Sequence, residues 1–546
     1  MSIKRTVPEA AIKPRAAAER LEGLRMNITP YSMWESWQQD GHYTMLPYIS
    51  KHPLGSGGAK VDSWTRAWQA AAEYAIVLES GKDGRYTYLG LRPASVIRGK
   101  DRTAWIQEAG LTEPKVWNGE PLEAVRNWMS PYVSPALEEA PPFTGGCAGL
   151  WSYDIVRSIE TLPQQTADDL EIPDYLLLRL DELWIIDHEE DTLYCAVHLP
   201  VREEMDAAAL SSLYSEAERQ TERMAQLWRE LTVIEPADVR LRERRQALIA
   251  SDPHPVDVEA MSGIHTPFSR EQFVAAVQRI QAYIAAGDVF QVNLSVRQSR
   301  QALASPEELY EWLRLFNPSP YMGMLRCPDF QLVSASPELL VKARAGRLAA
   351  RPIAGTRRRG RDEAEDLRMA EELLTSEKER AEHIMLVDLE RNDLGRISAY
   401  GTVRVGELLV IERYSHVMHL VSQVEGQLAE GKDAYDVIAA TFPGGTITGA
   451  PKIRTMEIIE ELEPVRRGPY TGSLGYIGYN GDMEFNIIIR TMVVKDGQVH
   501  IQAGAGIVID SEPEREYRES LNKAKALWKA IQYSERIMRE QAGATT

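Results

Sequence analysis

The helical pattern of residues 268–288 changes directly into a strand pattern at 289–299, and this change limits the chain to a fold that mixes helices with sheet. Ser269 and Gln272 form a predicted capping box at the start of the helix, and Gly287 marks its end. The strand alternates strictly between apolar and polar side chains. Its apolar face carries Val292, Leu294 and Val296, and its polar face carries Gln291, Asn293, Ser295 and Arg297. The alternation predicts an ordinary strand with one exposed face.

The first half of the sequence alternates strand-like and helix-like segments. Two strands are predicted at 75–80 and 84–93, and a glycine-rich turn that leads into a strand is predicted at 145–154. Residues 175–199 predict two further strands, separated by a polar turn at His188–Asp191.

A long amphipathic helix is predicted at roughly 202–232. Residues 235–267 follow with charge runs, prolines and little periodicity, which predicts a connection between the two halves of the chain.

The charge balance excludes two classes of partner. The 62 Lys and Arg residues against 80 Asp and Glu residues give a formal charge of −18, which repels nucleic-acid phosphates and anionic membranes. No stretch approaches 18 consecutive apolar residues, and the N-terminal residues lack the apolar segment of a secretory signal. The cysteines Cys147, Cys195 and Cys327 fit no metal spacing and suit a reducing compartment. We therefore expect a cytoplasmic protein in which an anionic substrate would need local cations.

The C-terminal segment 503–531 joins a glycine-rich strand to a charged helix. Gly504 and Gly506 permit close backbone approach, and Ser511 with Glu514 predicts a capping box. One face of the helix carries Glu516, Glu519 and Lys523. Both a solvated, salt-bridged face and a binding site fit this pattern.

A second acidic helix is predicted at 363–396, with Glu379 and Glu382 three residues apart. If the two acidic helices face each other, their carboxylates form an incomplete, oxygen-only shell that suits Mg²⁺. The neighbouring His383 fits a core or capping role as well as a ligand role.

Three loops rich in glycine and threonine, at 351–360, 442–452 and 470–476, place backbone N–H groups beside hydroxyls or cations. Such loops bind carboxylates as well as phosphates. None has the Gly-Lys-Ser/Thr ending of a P-loop.

Several ordered segments resemble the chorismate-binding enzymes. They are PIAGT, SEKERAEHIMLVDLERND, SHVMHLVS, FPGGTITGAPKIRTMEIIEELEP, the IRT at 489–491 and GAGIVIDSEPEREYRESLNKA. The resemblance implies one α/β unit of two large, mostly antiparallel sheets packed face to face, with helices outside and the two sequence halves interleaved. It also implies an N-terminal region at 20–234, a connection at 235–267 and a chorismate-binding catalytic region at 268–535.

The resemblance assigns roles to individual residues. Glu382 and Glu519 are expected to bind Mg²⁺, with Glu379 and Glu516 beside them as water-mediated ligands. The enolpyruvyl side chain and its carboxylate are expected to bind Tyr470, Arg490, the backbone of Gly504 and Lys523. The expected catalytic residues are Glu338 as the general acid for the C4 hydroxyl, His419 over the ring and Thr356 next to it.

One position separates the branches of the family. Gln291 stands where the water-using members carry a lysine base, which disfavours isochorismate or salicylate formation and suits ammonia. Asn293 and Ser473 resemble the aminodeoxychorismate branch, whereas Ala354, which replaces a lysine that attacks the ring in many of its members, resembles the anthranilate branch. We favour the aminodeoxychorismate branch, with anthranilate synthesis as the alternative. A more distant alternative is a non-catalytic protein that binds chorismate or tryptophan. It is disfavoured because the expected general acid, the Mg²⁺ carboxylates and the substrate-binding cations are all present.

The resemblance also implies two further ligands. The chain has no glutaminase nucleophile motif, so ammonia is expected from a separate glutamine amidotransferase subunit. Tryptophan is the expected ligand of a pocket formed by Glu79, Ser80, Asn317, Pro318, Tyr321 and Met322.

Overall fold

Two twelve-stranded sheets form the framework of the protein. The structure, a computed structural model, describes residues 26–54, 61–81, 84–251, 257–413 and 417–543. In spatial order, the first sheet contains β1 (Met26–Asn27), β2 (Met45–Pro53), β11 (Thr192–Pro200), β10 (Glu182–Asp187), β4 (Tyr86–Gly90), β3 (Ala75–Glu79), β13 (Tyr321–Arg326), β14 (Phe330–Ser336), β23 (Thr491–Lys495), β24 (Gln498–Ile507), β12 (Gln291–Gln301) and β20 (Gly449–Ala450). The second contains β17 (Ile353–Arg358), β19 (Val417–Gln427), β16 (Arg347–Ala350), β15 (Leu339–Arg344), β22 (Met483–Asn486), β21 (Ser473–Gly478), β8 (Gly146–Trp151), β9 (Tyr175–Leu180), β5 (Ser95–Lys100), β6 (Thr103–Glu108) and β7 (Lys115–Asn118), with β18 (Arg404–Arg413) paired to β19. The ladders between these strands are antiparallel.

Helices cover the outer faces of the two sheets. Among the described residues they are α1 (Tyr31–Asp40), α2 (Thr65–Ala70), α3 (Pro121–Met129), α4 (Ala207–Leu231), α5 (Pro236–Ser251), α6 (Arg270–Ala286), α7 (Pro306–Phe316), α8 (Glu363–Thr375), α9 (Glu377–Gly395), α10 (Ala434–Thr441), α11 (Lys452–Leu462) and α12 (Pro513–Gly543). Short 3₁₀ helices lie at Tyr153–Ser158 and Gly445–Ile447. Each helix in the described ranges is too short or too polar to cross a membrane.

The two sheets pack face to face around a shared apolar core. Ile76 of the first sheet and Leu176 of the second are both buried in it. A separate core lies between the outer face of the first sheet and helices that include α12, where Trp528 is fully buried. A third lies between the second sheet and helices that include α9, where Val387 is buried. The predicted architecture of two antiparallel sheets with outer helices is confirmed.

Both sheets contain strands from both halves of the sequence. In the first sheet Val77 of β3 pairs with Met324 of β13, and in the second Leu150 of β8 pairs with Leu474 of β21. The halves therefore interleave, as expected, and neither half by itself contains all the strands of a sheet.

The segment 175–199 contains three strands instead of the predicted two. β9 ends at Leu180 in the second sheet, and β10 begins at Glu182 in the first. Asp181 lies at the crossing between the sheets, where its carboxylate accepts a hydrogen bond from the Tyr479 hydroxyl. Residues 175–187 form a nearly continuous apolar run because β9 and β10 are both buried. The run therefore gives no sign that the two strands belong to different sheets.

Two segments in the middle of the chain have a helical structure that differs from the sequence expectation. Residues 236–251, inside the expected connection, form α5. The helix predicted over 363–396 is two helices, α8 and α9, which meet at Ser376. The Ser376 side chain caps α9 by accepting a hydrogen bond from the Glu379 N–H at 3.4 Å, which explains the break because serine favours helix caps over helix interiors.

The start of α6 agrees with the prediction. Ser269 and Gln272 make both hydrogen bonds of the capping box, and Gly287 ends the helix in the left-handed conformation. The strand β12 begins four residues later, at Gln291, and leads into the candidate site.

Candidate active site

The polar face of β12 is buried, so the prediction of one exposed face is wrong. Gln291, Asn293, Ser295 and Arg297 are at most 9% exposed. The segment that follows β20 and α11 covers this face, where the Ser295 hydroxyl donates to Glu463 at 2.8 Å. Alternation alone cannot distinguish a solvated polar face from one buried against polar partners.

Glycines in β24 allow the two strands to approach closely. A Cβ atom at Gly504 would lie 2.5 Å from the Leu294 carbonyl oxygen, and one at Gly506 would lie 2.4 Å from Gln291 Nε2. Gly504 therefore meets a backbone steric requirement, as its position in the sequence predicts, and Gly506 leaves room for the Gln291 side chain.

Two amide side chains on β12 have acceptor atoms without a partner. Gln291 Oε1 and Asn293 Oδ1 are buried and accept no hydrogen bond from the described residues. The Asn293 amide nitrogen donates to the Thr446 carbonyl at 3.4 Å. Because an unpaired buried acceptor is costly, the two oxygens point to a ligand that donates hydrogen bonds.

Glu338 lies between β14 and β15 and is 7% exposed. Burial raises the pKa of its carboxyl to about 7, and Thr446, Arg490 and Lys523 act in the opposite direction. The carboxyl is thus partly protonated near neutral pH and faces two cations. This is the arrangement expected of an acid beside an anionic substrate.

Thr446 is a site residue that the sequence analysis did not name. It lies in the short 3₁₀ helix Gly445–Ile447, between Glu338 and Asn293. Its only sequence signal was its place in the glycine- and threonine-rich loop at 442–452.

The acidic residues of α9 and α12 face each other across the site. Burial raises the pKa of Glu382, and the charges of Glu379 and Glu519 raise it further. Burial also raises the pKa of Glu516, whose carboxylate accepts a hydrogen bond from Ser511. Among the hydrogen bonds of the described residues, none forms the capping box predicted for Ser511 and Glu514, and the Ser511 hydroxyl oxygen accepts from the Val508 N–H at 3.1 Å.

Two of the four carboxylates pair with cations in this structure. Glu379 pairs with Arg357 at 2.9 Å, and Glu519 pairs with Lys523 at 3.1 Å. Lys523 also donates to the Gly504 carbonyl at 3.0 Å. Within the described residues, no three carboxylate, histidine or cysteine side chains are close enough to form a metal cage. The donor set is nevertheless oxygen-only and mutually repulsive, which favours a hard divalent cation.

Arg490 and Tyr470 approach the site from the loops around β21 and β23. Arg490 has a φ of 50°, a left-handed conformation that is uncommon for a residue with a side chain and is often found at functional sites. Tyr470 is 8% exposed, and its ring centroid lies 5.5 Å from the Arg467 guanidinium. Ser473 is buried, and its hydroxyl donates to the Asn486 carbonyl in β22.

Arg467, a second residue that the sequence analysis missed, connects the loop before β21 to β12 and to the short 3₁₀ helix. Its guanidinium is buried and donates to the Asn293 carbonyl at 2.7 Å and to the Ile447 carbonyl at 2.9 Å. It also pairs with Glu463 at 2.8 Å. Its signal in the sequence was limited to the Arg-Arg-Gly-Pro run beside the 470–476 loop.

His419 and Thr356 are neighbours on adjacent strands. They are register partners in β19 and β17, and His419 Nδ1 lies 3.0 Å from Thr356 Oγ1. Burial lowers the pKa of His419 to about 4, and Arg490 lowers it further, so the imidazole is neutral at neutral pH. Ala354, two residues before Thr356, is buried and offers no nucleophile.

The predicted tryptophan pocket lies in another part of the first sheet. A cavity of about 810 Å³ is lined by Glu79, Ser80, Pro318 and Met322, among others. Glu79 already accepts hydrogen bonds from Trp64 at 3.1 Å and Tyr310 at 2.9 Å and pairs with Arg314 at 2.9 Å.

Two remaining residues of the predicted pocket lie next to this cavity. The Asn317 side-chain nitrogen is buried and has no partner among the described residues. The Tyr321 carbonyl accepts from Asn486 at 3.3 Å. The six residues are therefore brought into one region, although only part of the set lines the cavity.

Comparison with known proteins gives a consistent result. The family described as chorismate binding enzyme matches residues 74–529. The chain is 46% identical to aminodeoxychorismate synthase component 1 of Bacillus subtilis over 87% of this chain and 96% of that protein. It is 45% identical to anthranilate synthase component 1 of Thermus thermophilus over 84% of this chain and 91% of that protein. Anthranilate synthase component I of Streptococcus pneumoniae has a similar structure, with a TM-score of 0.68 and 33% identity over 81% of this chain and 92% of that one.

Proposed function

Because the chain belongs to the chorismate-binding enzyme family, we propose that it is the chorismate-aminating component of an aminodeoxychorismate synthase. It replaces the C4 hydroxyl of chorismate with the amino group of ammonia and releases water. The product, 4-amino-4-deoxychorismate, is the precursor of 4-aminobenzoate in folate synthesis. The observation that carries the proposal is the buried Glu338 carboxyl, which lies beside two cations and near two neutral amides.

Glu338 acts as the general acid. Hydroxide is a poor leaving group, so the C4 oxygen must gain a proton as its bond to carbon breaks. A carboxyl with a pKa of about 7 holds that proton at neutral pH and gives it up readily. The proton that ammonia loses when the C–N bond forms returns to the carboxylate, so the acid is regenerated in each turnover.

The substrate is a dianion, and local cations bind it in an acidic protein. Arg490 and Lys523 face Glu338 and bind the carboxylate of the enolpyruvyl group, with Tyr470 and the Gly504 backbone beside them. His419 is neutral and lies over the ring with Thr356. These residues orient the C4 hydroxyl toward Glu338.

Magnesium is the proposed cofactor. Glu382 and Glu519 would hold it, with Glu379 and Glu516 nearby through water, because this donor set contains only carboxylate oxygens. When bound, Mg²⁺ supplies positive charge that binds the ring carboxylate.

The nucleophile is ammonia from a separate glutamine amidotransferase subunit. Gln291 is a neutral amide, which cannot deprotonate water as a lysine base could, and its buried oxygen can accept a hydrogen bond from ammonia. Ala354 offers no side chain for a covalent intermediate, so we propose that ammonia attacks the ring directly.

The choice of product is tested with chorismate, Mg²⁺ and ammonium in one assay. We expect a product that aminodeoxychorismate lyase converts to 4-aminobenzoate, detected by chromatography. Fluorescent anthranilate in its place would overturn the choice in favour of anthranilate synthase, the alternative supported by the 45% identical relative.

Tryptophan is a proposed ligand of the cavity at Glu79 and Met322. The cavity volume of about 810 Å³ accommodates an amino acid, and its lining includes Arg314 and His188 as well as Glu79. Calorimetric titration with tryptophan tests this, and no heat of binding at millimolar tryptophan would contradict it.

A further inference from the structure

A second polar cavity lies farther along β12 than the candidate site. Its volume is about 400 Å³, and its lining includes Arg297 and Ser299 of β12 and His500 of β24. Arg297 follows Asn293 by four residues on the same strand. Because alternate residues share a strand face, the two side chains project from the same face of the sheet. We call this space the Arg297 cavity.

The ladder between β12 and β24 supports this placement. Arg297 pairs with Gln502, and two residues later Ser299 pairs with its partner on β24. That partner is His500, so both pairs lie on the face that borders the cavity. The Ser299 hydroxyl lies 2.8 Å from His500 Nδ1. Burial lowers the pKa of His500 to about 4, and the Arg297 charge lowers it further, so this imidazole is neutral at neutral pH.

Hydrogen bonds separate the Arg297 cavity from the substrate side of this face. The Ser295 hydroxyl, between Asn293 and Arg297, donates to Glu463 at 2.8 Å. It also accepts a hydrogen bond from the Gln502 side chain at 2.8 Å. At about 3.4 Å per residue, the four residues from Asn293 to Arg297 span about 14 Å. The cavity is therefore a site separate from the one that contains Glu338.

The Arg297 guanidinium is buried but only partly paired. Its side chain is 5% exposed, and Nη2 donates to the Asp169 carboxylate. Nε and Nη1 have no hydrogen-bond partner in the part of the chain that the structure describes. These two nitrogens carry N–H donors and no acceptor. Because buried donors are rarely left unpaired, they indicate a ligand that accepts hydrogen bonds.

The cations at this cavity are more deeply buried than the acids. Lys495 also lines it, and its side chain is only 20% exposed. The two acidic residues of the lining, Asp169 and Asp496, are 42% and 80% exposed. Water and salt screen exposed charges more strongly than buried ones, so the interior of the cavity favours an anion.

We propose that the Arg297 cavity binds a small oxyanion, a phosphate or a carboxylate, through the Arg297 guanidinium and the Lys495 ammonium group. The oxyanion accepts hydrogen bonds from the unused N–H groups of Arg297. Such bonds between charged groups are about twice as strong as those between neutral groups. This inference goes beyond the proposed function, because it assumes nothing about the reaction at Glu338.

Binding is tested by calorimetric titration of the full-length protein with inorganic phosphate and, separately, with acetate at constant ionic strength. We expect saturable binding of at least one of these anions. Binding of phosphate alone assigns a phosphoryl group to the ligand, and binding of acetate with comparable affinity assigns a carboxylate. No saturable binding of either anion would overturn the inference, since water alone would then meet the Arg297 donors.

Substitutions locate the bound anion. Arg297→Gln should weaken binding at least about tenfold, because a hydrogen bond between charged groups is lost. Arg404→Gln is the matched control: Arg404 is 75% exposed in β18 of the second sheet. It should leave the affinity within about twofold, since its charge is distant and screened. Wild-type affinity in a folded Arg297→Gln protein would overturn the inference.

Lys495→Met keeps the test decisive if Arg297→Gln does not fold. Removal of this partly exposed cation should weaken anion binding about threefold, in keeping with the modest strength of such ion pairs. Thermal unfolding shows whether each variant is folded. Unchanged affinity in Lys495→Met, with Arg297→Gln unfolded, would overturn the proposed site.

Lys523→Gln separates this site from the substrate site, whose cations also attract anions. We expect this variant to bind phosphate or acetate as the wild-type protein does. Binding that is lost in Lys523→Gln and kept in Arg297→Gln would place the anion in the substrate site and contradict the inference. Wild-type protein that binds the anion but does not aminate chorismate would overturn the proposed function alone.

Discussion

Burial of the Glu338 carboxyl gives it a pKa of about 7, which its position in the sequence did not indicate. We expect Glu338→Gln to lower kcat by about 10²–10⁴-fold, because the amide cannot donate a proton to the departing hydroxyl. Chorismate affinity, measured by calorimetry, should change little, since glutamine keeps the shape of the side chain. A variant with wild-type kcat would show that another group supplies the proton.

The Glu338 carboxyl also predicts how the reaction rate depends on pH. A general acid must be protonated in the free enzyme, so kcat/KM for chorismate, corrected for the concentration of free ammonia, should fall as the pH rises through about 7. The measurement is a pH profile at constant ionic strength. The Glu338→Gln variant should lack this limb, and a limb that persists in the variant would belong to another group.

Glu519 allows a direct test of the magnesium proposal. Glu519→Gln should lower kcat/KM more than about 100-fold, because even groups that only orient metal ligands contribute 10–100-fold. Calorimetry should show weaker Mg²⁺ binding. Glu512→Gln removes the same charge from an exposed position just before α12 and should leave both quantities unchanged. Undiminished Mg²⁺ affinity in Glu519→Gln would exclude this carboxylate as a ligand.

At the scale of elements, the contact between β12 and β24 depends on glycine. A Cβ atom at Gly504 would lie 2.5 Å from the Leu294 carbonyl oxygen, which is backbone and cannot move aside without shifting the ladder. We expect Gly504→Ala to lower the free energy of unfolding by about 1–3 kcal/mol and to impair turnover. Denaturant unfolding and the chorismate assay measure the two effects.

Gly395 at the end of α9 is the matched control for this substitution. A Cβ atom there would meet no heavy atom within 4 Å. Gly395→Ala should therefore leave turnover unchanged and the free energy of unfolding unchanged or higher, since alanine is favoured over glycine in a helix. Equal behaviour of the two variants would contradict the steric argument.

At the scale of the whole molecule, the interleaved sheets make the two sequence halves interdependent. Residues 268–546 expressed alone would leave β13 without β3 and β21 without β8 in the interior of the two sheets. We expect this fragment to show no cooperative thermal unfolding, because unpaired interior strands and the shared apolar core would be exposed. Co-expression with residues 1–267 should restore folding, whereas a cooperatively folded fragment would contradict the argument.

The sequence by itself determined the family and the antiparallel α/β architecture, and it proposed most of the residues that the structure brings to the candidate site. Ordered motifs such as SEKERAEHIMLVDLERND are local, and local patterns such as the Ser269 capping box depend only on neighbouring residues. Contacts between distant segments were not accessible in this way. The burial of the β12 polar face, the break at Ser376 and the crossing at Asp181 each depend on which segments pack together.

Only the tertiary structure decided which of the predicted residues lie close to one another. It placed Glu338 beside Arg490, Lys523 and Thr446, which the sequence did not single out, and it paired the Ser473 hydroxyl with the Asn486 carbonyl. It also showed that Arg467 connects its own loop to β12 and to the 3₁₀ helix Gly445–Ile447 through buried hydrogen bonds. The physical reason is that pKa values and unpaired acceptors arise from burial and from charges brought together across the fold, which residue spacing along a chain does not encode.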